Sequence, residues 1–181
     1  MKIEDIARYY IAAPAYEAPL EVTKAFRQFV IDIAQVELQG INFQYVDFDP
    51  YFRGSQLCIE DMYTDVNQGN LMISTQGKNS DLYYNLNLLD PEVDLIFRCL
   101  HEMHHLKLKA GFGWEGEFLT AAHVMSFTDK PLFKQMLFSE TVAQVAMYIQ
   151  TGQFPKEQKV VLFDREFVRR FEKYWPESGP T

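Results

Sequence analysis

From residue 90 onward the chain is cut by proline and glycine at helix-length intervals, with apolar residues at helical spacing in between. That punctuation leaves little room for anything but helices. Asp90-Pro91-Glu92 reads as an N-cap, a first helical residue and an acidic first turn. The expected helix covers about 91–109 and stops at Gly111. Another is expected over roughly 114–127, and a further one from Pro131 to near Gly152. A last helix is expected over about 164–174, before Pro176. In the first half, Pro19 opens a helix to Gln39, with Val22, Phe26, Phe29, Val30, Ile33 and Val36 on its apolar side and Gly40 as its stop. Residues 41–80 are less regular. The segment from Ile41 to Tyr45 alternates like a strand, 55–66 suits a short helix, and Leu71-Met72-Ile73 lies between the turn signals Gly69-Asn70 and Gly77-Lys78-Asn79, which suits a small hairpin or, nearly as well, helical turns. The fold class is therefore mostly α: a single helical domain over 1–181 with a short irregular or hairpin segment around 41–80.

Composition narrows the function. The 181 residues include 17 Lys plus Arg against 25 Asp plus Glu, a net charge of −8, so a nucleic-acid partner is not expected. A purely electrostatic membrane anchor is disfavoured for the same reason. The 48% hydrophobic content suffices for a real core, and the 15% aromatic share points to bulky packing or a broad apolar cavity. Cys58 and Cys99 have no metal-type or disulfide-framework spacing and read as two reduced thiols. No stretch is apolar for long enough to span a bilayer, and the N-terminal residues carry no signal-peptide core, so the expected location is cytoplasmic.

Three of the four histidines fall within five residues, in His101-Glu102-Met103-His104-His105. On a helix, His101 and His105 stand one turn apart on one face and can hold a metal ion between them. Val93, Ile96, Phe97, Leu100 and Leu108 form an apolar face of the same helix, which Leu95, Cys99, Met103 and Leu106 widen. The narrow polar strip that is left carries Asp94, Arg98, His101, Glu102, His105 and Lys109. That strip suits either a solvated edge or the floor of a polar cavity. His104 points into the apolar face and reads as a core histidine. Arg98 suits an ion pair with Asp94, four residues away, or a bidentate hold on a substrate carboxylate.

Two histidines alone hold a metal weakly, so a carboxylate should complete the set. Glu117 sits just inside the next helix, which the Gly111-Phe112-Gly113 turn would fold back onto the first. Glu140, on the helix after that, is the other candidate. It would suit a zinc metallopeptidase of the H-E-x-x-H type with Glu102 as general base. The chain offers no convincing strand beside the motif on which a peptide would lie.

Together these residues resemble the ubiquinone-biosynthesis protein 4 family, the fourth coenzyme-Q assembly protein. That family carries H-D-x-x-H, then eleven residues, then Glu. Here His101, Glu102 and His105 are followed by the eleven residues 106–116 and then Glu117. Asp90-Pro91-Glu92 at the helix start, Arg98 before the first histidine, the Gly116-Glu117 step, Gly152 and the aromatic segment from Phe167 to Trp175 extend the likeness, which runs from about 90 to 175. The departure is Glu102, where the family has Asp; the added methylene leaves it either a ligand or a base. The resemblance implies an all-helical protein, often dimeric and peripheral to membranes. It implies a divalent metal held by His101, Glu102, His105 and Glu117, with Glu102 and Arg98 as catalytic residues. Zinc is the expected ion, with iron and magnesium as alternatives. The implied substrate is a hydrophobic small molecule such as a prenylated aromatic ring, and the implied chemistry is decarboxylation or oxidative decarboxylation. The two other readings are the metallopeptidase and a non-catalytic lipid-binding or scaffold protein with a structural metal.

Overall fold

The computed structural model describes residues 2–53, 56–75, 88–153, 155 and 158–164. In chain order the elements are α1 (Ile3–Ala12), α2 (Leu20–Glu37), β1 (Asn42–Val46), β2 (Phe52–Arg53), β3 (Gln56–Leu57), α3 (Ile59–Asn67), β4 (Asn70–Ser74), α4 (Pro91–Leu108), α5 (Trp114–Ser126), α6 (Pro131–Phe138) and α7 (Gln144–Thr151). The last two are joined without a break by a π-helical turn, Ser139–Ala143. The fold is mostly α, as expected.

Pro91, Pro131 and Gly152 act where they were read, whereas the stop expected at Gly111 falls at Lys109. Asp90 caps α4 by accepting a hydrogen bond from the Val93 N–H at 3.0 Å, with Pro91 in the first turn. Pro131 opens α6, and Gly152 closes α7 at φ +74°, a conformation open to glycine. The helix expected over 131–152 is present with one extra backbone residue wound into it at the π turn. Ser139, in that turn, accepts from the Val161 N–H at 2.9 Å and donates to the Val161 carbonyl at 2.8 Å, which ties the C-terminal segment to the bundle.

Three segments differ from expectation. The segment Asn70–Ser74 is a strand, but it is no hairpin arm: it pairs in parallel with β1, Asn42 opposite Asn70 and Val46 opposite Ser74. Parallel pairing needs a crossover, and α3 supplies it. Residues 56–57 of the helix expected over 55–66 instead form β3, antiparallel to β2, and α3 starts only at Ile59. Helix α1 was not expected at all. It lacks a side-chain cap, and its inward residues are only Ile6, Ala7 and Tyr10. The turn at Gly77-Lys78-Asn79, the Tyr83-Tyr84 pair and the helix expected beyond Asp164 lie outside the described residues.

The core comes in two parts with α4 between them. A large cluster joins α1, α2, α5, α6, the π turn and the 160–163 segment around Phe26, Phe138 and Leu137, and takes Val93, Phe97 and Leu100 from α4. A smaller one gathers Tyr51, Met62, Leu71 and Ile73 from the β–α–β segment against Cys99 and Leu106 on the other side of α4. Covered on both sides, α4 is apolar around most of its circumference, and its polar strip faces the gap between the two clusters. Among the described residues no helix is long and apolar enough to cross a membrane.

Candidate metal centre

The histidine pair sits at the C-terminal end of α4, where the chain turns back. Lys109, at φ +51°, is a non-glycine residue in the left-handed region and ends the helix. That turn brings the Ala110 carbonyl to 3.2 Å from Nδ1 of His105. With Nδ1–H donating to this carbonyl, Nε2 of His105 keeps its lone pair, the tautomer a metal ligand needs. Phe112 stacks on the same ring, with centroids 4.4 Å apart and planes 27° apart. His105 is fully buried and held on both its edge and its face.

The return helix α5 then supplies Glu117. Its close approach depends on Gly116, because a Cβ there would run into the Gly111 carbonyl. The Gly116-Glu117 step therefore has a steric reason: the glycine lets α5 start hard against the turn, and the next residue faces α4.

Three ligand atoms converge. His101 Nε2 lies 3.1 Å from His105 Nε2 and 3.1 Å from Glu117 Oε2, and His105 Nε2 lies 3.4 Å from Glu117 Oε1. Ligands on a tetrahedral ion at typical zinc distances stand about 3.3 Å from one another. Glu117 Oε2 is buried and has no well-angled hydrogen bond, despite its nearness to His101. The two Nε2 atoms share a hydrogen bond, but Glu117 Oε2 stays unsatisfied beside them, and an ion among the three side chains would satisfy it. The donor set of two imidazoles and one carboxylate fits a divalent transition metal. These buried groups can hold a metal ion.

The electrostatics agree. Burial works against the charge on Glu117, but the neighbouring His101 and His105 outweigh it and hold its pKa down to about 2. Burial also disfavours a charged His101, yet Glu117 wins and raises its pKa. Glu102 is raised chiefly by burial, with His101, His105 and Arg98 pulling the other way.

Beside the three ligands opens a cavity of about 620 Å³. Asp94, Arg98, His101, Glu102 and Glu117 form its polar floor; Met62, Met72, Ile73, Phe97 and Phe112 give it apolar walls. Glu102 lies outside the converging group, so the described arrangement places it beside the ion position and not among the three ligands. Glu140 reaches the same cavity from the π turn and accepts a hydrogen bond from Gln144 at 3.0 Å, also outside the group. Arg98 pairs with Asp94 at 2.9 Å while lining the floor, so both of its expected positions hold together. Strand β4 also borders the cavity, through Met72, Ile73 and Ser74, which corrects the expectation that no strand would lie beside the motif. Neither cysteine is in a disulfide; Cys99 is buried, and burial pushes its thiol up to about 11.

Sequence reasoning left His123 without a part and did not single out Glu37. The structure sets both next to His104, and none of the three lines the cavity. No periodicity within one helix could have paired residues from α2, α4 and α5. Comparisons with protein families, with curated proteins and with solved structures find no match, so the likeness to the ubiquinone-biosynthesis protein 4 family rests on the residues quoted for it alone.

Proposed function

We propose that the chain is a metal-dependent biosynthetic enzyme acting on a hydrophobic small molecule with an acidic head, of the kind the ubiquinone-biosynthesis protein 4 family handles. The observation that carries this reading is the convergence of His101, His105 and Glu117, with His101 and Glu117 on the floor of a cavity that has Met62, Met72, Ile73, Phe97 and Phe112 among its walls. A greasy ring or prenyl tail suits Met62, Met72, Ile73 and Phe112, and a carboxylate or phenolate head suits the floor. A bound zinc, or iron in its place, would act as a Lewis acid toward that head.

The chain's own residues divide the remaining work. Arg98, steadied by Asp94, orients the carboxylate of the substrate. Glu102 passes a proton: in a decarboxylation the bond from ring carbon to carboxylate breaks, carbon dioxide leaves, and the ring carbon takes the proton in its place. An oxidative variant would consume dioxygen and two electrons from an external reductant: carbon dioxide leaves, one oxygen atom stays on the ring carbon as a hydroxyl and the other leaves as water.

The test is turnover of a prenylated hydroxybenzoate-type acid, followed by carbon dioxide release with and without dioxygen. Glu102→Gln is expected to lower turnover on the order of 10²–10⁴-fold without unfolding the protein. Arg98→Met is expected to act mainly through KM. Full activity in both variants contradicts these roles.

One observation favours a second reading. Strand β4 borders the cavity beside H-E-x-x-H, and a strand in that position is what a peptidase uses to hold an extended peptide. Cleavage of casein that is abolished by Glu102→Gln would select the metallopeptidase.

A further inference from the structure

We propose that Glu37, His104 and His123 form a second metal site, separate from the cavity, in which a divalent transition metal ion cross-links helices α2, α4 and α5. The three side chains come from three different helices, and their ligand atoms all lie within 4.8 Å of one another. His104 Nε2 is 3.6 Å from Glu37 Oε2, and His123 Nε2 is 4.0 Å from the same oxygen. The two imidazoles meet edge to face with centroids 4.6 Å apart. Phe127 covers both, stacked on His104 at 6.0 Å and edge-on to His123 at 5.0 Å.

Two features set this group apart from ordinary core packing. His104 is 1% exposed, and its Nε2 has no hydrogen-bond partner; buried Nε2 of His123 has none either. A buried polar nitrogen without a partner is costly, and here two of them face one carboxylate. An ion among the three atoms would satisfy both. The observed spacings are slightly wider than the roughly 3.3 Å between ligands on tetrahedral zinc, and Glu37, as the last residue of α2, is placed to close them by a side-chain turn.

The second feature is the cation already there. Lys107 donates from Nζ to Glu37 Oε2 at 2.7 Å, at the C-terminal end of α2, where the helix dipole favours positive charge. The Lys107 side chain is half exposed, so it can swing into solvent when a metal takes its place on the carboxylate. The inferred site is thus a metal position that a lysine covers in its absence. With three protein ligands, the ion takes a fourth from water.

The experiment is equilibrium dialysis of the full chain, stripped with a chelator, against zinc chloride, followed by elemental analysis. Wild type is expected to take two zinc ions per chain, and Glu117→Ala, His123→Leu and Glu37→Gln one each. His123 and Glu37 lie on different helices, so the two variants test the site independently, with circular dichroism to verify folding. Lys107→Met should tighten the site several-fold, since it removes the competing charge. A wild type that takes one ion, kept in both His123→Leu and Glu37→Gln, overturns this site and leaves the first intact. An ion kept in Glu117→Ala but lost in His123→Leu and Glu37→Gln upholds this site and overturns the first.

Discussion

At the scale of single residues, the site depends on how His105 is held. Its ring is fixed by the Ala110 carbonyl and by Phe112, so its free nitrogen is aimed before any ion arrives. Replacing Phe112 with Ala should loosen that ring and weaken metal affinity on the order of 10-fold, within the range seen for groups that support metal ligands, as measured by competition with a chromogenic chelator. Thiol labelling offers a simpler check. Cys99 is buried with a raised pKa, so a maleimide at neutral pH should modify Cys58 first and Cys99 only on unfolding. The pair of His101 and His105 was legible because i, i+4 spacing on a helix is a local rule. Glu117 was legible as one of two candidates because only a short turn separates it from the pair. Glu37 and His123 reach His104 through tertiary packing, which no local spacing encodes.

At the scale of elements, the turn between α4 and α5 does the positioning. Gly116→Ala would place a methyl group against the Gly111 backbone, which cannot yield as a flexible side chain would. The expected cost is about 1–3 kcal/mol in a urea unfolding curve, with loss of metal from the first centre. Lys109→Gly should act in the opposite direction. It removes the strain of a side chain at φ +51° and should raise stability by about 1 kcal/mol while metal binding is kept. A fall in stability on Lys109→Gly would contradict this account of the turn. The long helices were legible because proline, glycine and helical periodicity agree at each of them. Helix α1 was not, since it has no side-chain cap, is marked only by Pro14 just past its end, and buries a short stripe against α7 and the C-terminal segment. The strand at 42–46 was legible from its alternation, but its partner was not: the short apolar run at 71–73 suits a strand or a helical turn, and only the fold decides which it is and what it pairs with.

At the scale of the whole molecule, α4 is the spine between two cores, and distant segments are fastened around it. Tyr10 on α1 is buried in the larger core and accepts a hydrogen bond from the Lys159 N–H at 3.2 Å. Burial raises the pKa of Tyr10 well above its ordinary value, and the same holds for Tyr51. Below about pH 10 both phenols are neutral in folded and unfolded chains alike, and their contribution is fully present. Above that pH the unfolded chain ionises them and the folded chain does not. Stability should then fall by up to about 1.4 kcal/mol per pH unit for each, and absorbance near 295 nm should show late ionisation coupled to unfolding. The account as a whole stands on the first metal centre. Its most direct test is zinc content per chain in the His123→Leu background, where one centre remains. One ion per chain is predicted, lost on adding Glu117→Ala and kept on adding Glu140→Ala; no ion, or an ion that survives Glu117→Ala, would contradict it.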